Sequence, residues 1–287
     1  MAVQLTVSLV VYGFEHSVLS NTLTSLHKAI VTAQAQGDLG AVTISLVDNA
    51  DHADELEPLL RRCLSSPDNA ADTGSGTVSG AGIEVDVISG HGNIGFGQAH
   101  NLIIHRADSE YYLILNPDVI VDGQALSAGI RYLQQTPQAV AASPAIHDGQ
   151  GAPESGCKRY PGVLDFALRG FAPTWLKQRF RKRLAHYEMR DLPADQVVAD
   201  VPIISGCFML FRHDALRQLG GFDPRYFLYF EDFDLSIRAR ALGKLSYVPQ
   251  MRIIHLGGNS AKKGLHHITL FGRSAYRFFS SHGWRWL

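Results

Sequence analysis

Apolar runs alternate with stretches of helical periodicity along the first half of this chain. Leu5 to Tyr12 is rich in β-branched residues, and Leu19, Leu23, Leu26, Ile30 and Ala33 then recur at helical spacing until Gly37. A second run, Val42 to Val47, ends in Asp48-Asn49. A third, Ile83 to Ser89, ends in a glycine-rich turn before a helix from about Gln98 to Arg106. Strands alternating with helices in this order predict βαβ units and a parallel sheet, hence an α/β fold. Tyr111 to Leu115 is short and apolar throughout, as a strand covered on both faces must be. It stops at Asn116-Pro117-Asp118, because proline has no N–H for a ladder and fixes its own φ. A helix over Ala125 to Gln135 and a strand over Val140 to Ser143 follow.

The pattern changes over residues 144–200. Prolines appear there, and a basic helix carries Lys177, Arg179, Arg181, Lys182 and Arg183, with Leu176, Phe180, Leu184 and Tyr187 on one face. Such a helix suits either a solvated face over a local core or an anionic membrane surface. Val201 to Arg212 returns as an apolar strand with Gly206 inside it, where a ligand or a second backbone can approach closely. A short helix from His213 closes at Gly220-Gly221. Strands over Lys244 to Val248 and Met251 to Ile254 end at His255. The tail from Asn259 holds Lys262-Lys263 and an aromatic, arginine-rich helix whose composition fits interfacial anchoring, partner binding or docking onto the domain.

With 287 residues, 46% of them hydrophobic, the chain is long enough for one large α/β domain or two small ones. Its formal net charge of -1 argues against a dedicated nucleic-acid binder. The three cysteines, Cys63, Cys157 and Cys207, make no CxxC pair, which points to a reducing compartment rather than a disulfide framework or a zinc site. No basic segment precedes the first strand, the first lysine being Lys28, and no run reaches the roughly 18 apolar residues of a membrane span. These features predict a cytoplasmic protein. Ser65 to Gly82 is small, polar and glycine-rich, and is expected to form a surface loop.

Several side chains are candidates for chemistry. Asp118 leaves the carboxyl end of a buried strand on a rigid turn. This is either an Asx or Pro turn between strand and helix or, since α/β sheets bind ligands there, the seat of a hard cation holding substrate phosphates. Asp48 occupies the same position on the second strand, placed to accept from a nucleobase or ribose or to cap the helix that follows. Gly90, Gly92 and Gly95 spell G-x-G-x-x-G, but in the third βα unit rather than the first. We prefer a glycine-permitted approach to a nucleotide or sugar, with Asn93 and Asn101 supplying amide hydrogen bonds, over a dinucleotide fingerprint. Glu231, Asp232 and Asp234 follow a run of aromatic residues at a helix start; a helix dipole favours acids there, and an apolar surround raises a carboxylate's pKa toward that of a general base. His255 fits either a metal ligand or a packed polar residue.

Taken in order, these pieces resemble family 2 glycosyltransferases of the GT-A fold, in particular the rhamnosyltransferase-like branch. The matching residues are Val11-Tyr12, Val47-Asp48-Asn49-Ala50, Asn93-Ile-Gly-Phe-Gly with Asn101, Leu115-Asn-Pro-Asp-Val119, Ser205-Gly206, Gly220-Gly-Phe-Asp with Tyr229-Phe-Glu-Asp-Phe-Asp-Leu235, Val248-Pro249 and His255. The resemblance implies a Rossmann-like, mostly parallel sheet in a domain over residues 1–258. Residues 1–122 would form its nucleotide-sugar half and 123–258 its acceptor and catalytic half, with 144–200 a variable insert and 259–287 a loop and amphipathic helix. It further implies a dTDP-sugar donor held by Val11, Tyr12, Asp48, Asn49, Asn93, Gly95, Asn101, Asn116, Gly206 and Glu231. Asp118 and His255 would bind Mg²⁺ or Mn²⁺, and Asp232 would be the catalytic base. From their place in a glycine-flanked loop, and not from the resemblance, Lys262 and Lys263 are expected to close over the diphosphate. The family's metal motif is commonly Asp-x-Asp, and Asn116 here replaces its first carboxylate. The expected activity is inverting transfer of a sugar, rhamnose first, onto a glycan or polyprenyl-linked acceptor in bacterial surface polysaccharide synthesis. Peripheral membrane contact and homo-oligomerisation are compatible with it. The rival readings are an NAD-dependent oxidoreductase built on Gly90, Gly92 and Gly95, and a carbohydrate-binding domain without chemistry.

Overall fold

The computed structural model describes residues 2–64, 82–257 and 265–286; the expected loop at 65–81 and the pair Lys262-Lys263 lie outside the described residues. Strands β1 (Val3–Val11), β2 (Leu39–Asp48) and β3 (Ile83–Ile88) lie parallel in the order β3-β2-β1, and β4 (Tyr111–Leu115) joins β1 on its other side, also parallel. Helices α1 (His16–Ala35), α2 (Ala53–Leu64) and α3 (Phe96–Ile104) connect them. The continuous apolar runs follow from this arrangement, because the sheet is covered on both faces. Leu5, Val7, Leu9, Leu113 and Leu115 pack with α1 and α2 on one side, while Val10, Tyr112 and Ile114 pack with α3 on the other. At the end of α1, Gly37 takes a positive φ of 74°. There the N–H of Asp38 reaches Ala33 O and that of Gly37 reaches Gln34 O, a glycine-terminated Schellman cap.

Beyond β4 the sheet changes character. Strand β11 (Phe208–Arg212) runs antiparallel between β4 and β6 (Ala139–His147), then β12 (Lys244–His255) runs parallel to β6, and β5 (Val119–Val121) closes the edge antiparallel to β12. The short strands β7 (Pro153–Glu154) and β9 (Val198–Ala199) add to β6 and β12, while β8 (Cys157–Lys158) and β10 (Ile203–Ile204) form a separate antiparallel pair. Helices α4 (Ala125–Gln135) and α8 (His213–Gln218) cover opposite faces.

Three expectations differ from the structure in detail. The two strands expected over Lys244 to Ile254 are one, β12, whose register against β6 shifts between Val248 and Arg252, where Pro249 has no N–H to give. The apolar run Val201 to Arg212 is two strands, β10 and β11, parted at Ser205-Gly206-Cys207. The basic helix is two, α6 (Thr174–Arg179) and α7 (Arg181–Tyr187), broken at Phe180, whose ψ of 16° leaves the helical region. Arg183 there is bonded to Asp165 of α5 (Val163–Phe171) at 2.7 Å, so part of the positive charge is spent within the chain. Two further helices, α9 (Glu231–Ala239) and α10 (Leu265–His282), meet in an aromatic cluster of Tyr226, Phe230, Phe233, Phe278 and Phe279. Among the described residues no helix is long and apolar enough to cross a membrane.

Candidate active site

Strand register brings the candidate residues to one edge. Val11 pairs with Asp48 and Leu9 with Leu115, so β1, β2 and β4 finish side by side. Antiparallel β11 begins there, with Phe208 opposite Leu115, and His255 at the end of β12 pairs with Val119 just beyond Asp118. Residues 120 or more positions apart thus share the carboxyl edge of the sheet, where α/β folds bind ligands.

On one flank lie the residues expected to take the nucleotide. Tyr12 leaves β1 with 66% of its surface exposed, whereas Val11 beneath it is buried. Asp48 is fully buried, and its oxygens accept from the backbone N–H of Ala50 at 2.9 Å and from that of His52. It therefore fastens the turn into α2, as a capping carboxylate does. Asn49 donates its side-chain amide to Gly95 O at 3.3 Å and keeps a buried Oδ1 without a hydrogen-bond partner. Asn93 Oδ1 accepts from the Gly95 N–H at 3.0 Å. Asn101 uses both ends of its amide on Phe222, donating to its O and accepting from its N–H at 2.8 Å each. Gly95, at φ 87°, is approached by backbone: a Cβ there would stand 2.4 Å from Phe227 O. The space over Gly95 is therefore filled by the chain's own aromatic segment, while that over Gly90 and Gly92 is open.

In the middle of the edge, Asn116-Pro117-Asp118 links β4 to β5 across the sheet. Thr22 Oγ1 donates to Pro117 O at 2.8 Å and the Leu256 N–H to Asp118 O at 2.9 Å, which fixes the turn from both sides. His255 Nε2 faces Asp118 Oδ1 at 3.4 Å, and its Nδ1 faces Glu154 Oε2 at 3.3 Å. Burial pulls the His255 pKa down, but the hydrogen bonds and charges of Asp118 and then Glu154 outweigh it, and the pKa ends above that of a free imidazole. The two carboxylates sit at opposite edges of the ring, so they do not converge; among the described residues no set of three or more His, Cys, Asp or Glu side chains is gathered for a metal. What the turn offers is two ligands, Asp118 and His255, with Glu154 orienting the imidazole from behind and the buried, unpartnered Oδ1 of Asn116 close in sequence. This fits a hard cation that takes its other oxygens from a substrate diphosphate.

On the far flank stand the carboxylates of α9. Tyr229 and Phe230 both take positive φ, 71° and 67°, immediately before Glu231. Bulky residues hold that conformation only where their surroundings impose it, at about 1–3 kcal/mol each. Here α10 and its neighbours impose it: Ser274 Oγ donates to Leu228 O at 2.8 Å, Tyr229 Oη contacts His267 Nδ1 at 3.0 Å, and Phe230 packs on Phe166, Phe271 and Phe278. The strained turn presents Asp232 to Gly206, whose N–H donates to Asp232 Oδ2 at 3.0 Å, while the Phe233 N–H donates to Oδ1. Glu231 is 6% exposed and its Oε2 has no partner. Burial, and then the charge of Asp232, push the Glu231 carboxyl up to about 8. Asp232 is raised by burial too, but Lys158 and the two N–H donors oppose the rise. Asp232 thus has a nearby cation and two N–H donors that favour its ionised form, whereas the buried Oε2 of Glu231 has no partner. Asp234 is turned away, bonded to Arg238 and His282 at 2.7 and 2.8 Å.

Sequence reasoning overlooked Lys158 and Glu154. Both lie in the stretch without strand or helix periodicity, and pairing of Ile203 with Lys158 and of Ile146 with Glu154 brings them to the site. The buttressing role of α10 had a signal, its density of aromatic residues, which also fitted a membrane or a partner.

Comparison with known proteins bears on the family and the fold. The pattern of the family described as "Glycosyltransferase like family 2" matches residues 67–266. The N-acetylglucosaminyl-diphospho-decaprenol L-rhamnosyltransferase of Mycobacterium tuberculosis is 28% identical over 208 residues, 67% of this chain and 66% of that protein. The rhamnosyltransferase WbbL of Escherichia coli K12 is 28% identical over 182 residues, 60% of this chain and 64% of that one. The chain thus aligns with just under two thirds of the length of these relatives. Among solved structures, GalNAc-T7 with UDP, GalNAc and Mn²⁺ superposes with a TM-score of 0.63 at 15% identity, covering 97% of this chain and 48% of that one. S. aureus TarS 1–349 in complex with UDP-GlcNAc gives 0.54 at 12% identity, covering 96% and 66%. The fold is that of the GT-A glycosyltransferases, and by its sequence the chain belongs to glycosyltransferase-like family 2.

Proposed function

We propose that this protein is an inverting glycosyltransferase that moves L-rhamnose from a dTDP donor onto a glycan or polyprenyl-linked acceptor of a bacterial surface polysaccharide. The observation that carries the proposal is the Asp232 carboxylate, held by the Gly206 N–H at the sheet edge that also bears Asp118 and His255. The names of the two rhamnosyltransferase relatives support the choice of sugar. Asp232 takes the proton of an acceptor hydroxyl as that oxygen bonds to the anomeric carbon. The bond from this carbon to the diphosphate oxygen breaks on the opposite face, and the nucleoside diphosphate leaves with the electron pair. Glu231, protonated, is a hydrogen-bond donor beside the base. A bound Mg²⁺ or Mn²⁺, with Asp118 and His255 as its protein ligands, would supply charge neutralisation at the leaving diphosphate. Tyr12, Asp48, Asn49, Asn93, Gly95, Asn101 and Asn116 build the donor flank, most of them by shaping its loops. On this reading the chain works in the cytoplasm, at the membrane face where lipid-linked acceptors are found.

Calorimetric titration with dTDP, UDP, GDP and NAD, each with and without Mn²⁺, tests the proposal. The expected result is binding of dTDP that strengthens with Mn²⁺ and is weakened by Asp118→Ala. Metal-independent binding of NAD alone would overturn it.

A further inference from the structure

A cavity of about 920 Å³ lies beside the site and takes no part in the reading so far. It is bounded by β6, β7, the end of β8, Arg169 of α5, the segment from Glu188 to Ala194 and part of β12. One lysine and three arginines line it, Lys158, Arg169, Arg190 and Arg252, against two acidic residues, Glu154 and Glu188. Neither acid is a free counter-charge. Glu154 is bonded to His255. Glu188 is 8% exposed and wedged between Arg169 at 3.2 Å and Arg190 at 2.7 Å, so one carboxylate backs two guanidinium groups. Their side chains remain 42% and 70% exposed. Planar forks fixed from behind by a buried carboxylate, with edges still open, match what phosphate oxygens need.

The cavity is joined to both ends of the active site. Through Glu154 it reaches His255 and Asp118. Through Gly156 it reaches the base, since the Ser205 N–H donates to Gly156 O at 2.8 Å and the next N–H, of Gly206, donates to Asp232. Ile146, Met189, Leu192 and Tyr247 add apolar surface to its walls. A volume near the upper end of small-molecule sites leaves room for more than one sugar ring.

We propose that this cavity holds the diphosphate of a lipid-linked acceptor, gripped by Arg169, Arg190 and Arg252 so that the acceptor hydroxyl meets Asp232; this rests on the transferase reading above. The acceptor's own diphosphate takes no part in the bond changes. It keeps its charge throughout, which is why fixed arginines suit it better than a cation recruited with each donor.

The test uses the full chain and farnesyl diphosphate as probe, in EDTA so that the Mn²⁺-dependent donor flank is silent. Wild type should bind farnesyl diphosphate at least tenfold more tightly than farnesol or inorganic diphosphate. The Arg190→Gln/Arg252→Gln variant, which keeps the Arg169–Glu188 pair, should lose at least tenfold in that affinity while Mn²⁺-dependent nucleoside diphosphate binding stays within twofold. Arg252→Glu, at an exposed position of β12, should weaken the probe further and guards against misfolding of the double variant. Equal affinity in wild type and both variants, or inorganic diphosphate binding as tightly as the probe, would overturn the proposal. Loss of nucleoside diphosphate binding in wild type, with the probe still bound, would instead count against the transferase reading and leave the cavity standing.

Discussion

The Gly206 N–H donates to Asp232 Oδ2 at 3.0 Å, and a Cβ on residue 206 would stand 3.2 Å from Asp232 Cβ. The absence of a side chain at 206 therefore sets how close the α9 carboxylate comes to the sheet edge. Gly206→Ala should push Asp232 out by a few tenths of an ångström and weaken that hydrogen bond. We expect turnover to fall by about tenfold to a hundredfold, because reactive geometry tolerates little displacement, with thermal stability nearly unchanged. Sugar-transfer rates beside melting curves would decide it; an unchanged rate would detach Gly206 from the chemistry.

Gly95 makes a different demand. It combines a φ of 87° with a Cβ direction that ends 2.4 Å from Phe227 O, so a side chain meets both strained backbone and a fixed carbonyl. Gly95→Ala should cost about 2–4 kcal/mol, above the usual range for a glycine in open space. Urea unfolding gives the value directly. The same substitution at Gly92, also at positive φ but with open space beyond it, should cost about 1 kcal/mol.

Much of this architecture was legible because local patterns and the sheet agree. The apolar runs from Leu5 and from Tyr111 became β1 and β4, and Gly37 ended α1 through its positive φ. What escaped depends on partners distant in sequence. Val119–Val121 is too short to announce itself as a strand and exists because it pairs with β12, more than 130 residues away. An asparagine at a sheet edge looks the same whether it greets a ligand or a neighbouring loop; only Phe222 shows that Asn101 does the latter. Lys158 and Glu154 sit in two-residue strands without periodicity, and no spacing rule could have carried them to Asp232 and His255.

Glu231 should leave a mark on stability. Its carboxyl is pushed up to about 8 in the folded protein from 4.5 in a free chain, so the folded state holds the proton longer. That contribution is fully present below about pH 4.5, shrinks as pH rises through the window, and is gone above about pH 8. Glu231→Gln is always neutral and removes this term. Urea midpoints at about pH 5, 6.5 and 8 should fall for wild type and stay flatter for the variant; parallel profiles would mean that Glu231 is ionised in the folded protein at neutral pH.

Asn116 gives the sharpest test of the metal reading. Its N–H is bonded to Cys207 O at 2.9 Å, while its Oδ1 is buried without a hydrogen-bond partner, two residues before Asp118. Asn116→Asp would convert that oxygen into a second carboxylate on the same turn. In EDTA the new charge is desolvated and repelled by Asp118, which should cost about 1–3 kcal/mol and lower the melting temperature by several degrees. With Mn²⁺ and dTDP present the same charge gains a cation to bind, so the variant should recover more stability on loading than wild type does, and half-saturation should need less Mn²⁺. A variant that melts low under both conditions, with no extra gain from Mn²⁺, would show that the turn does not hold a cation and that Asp118 acts through His255 alone.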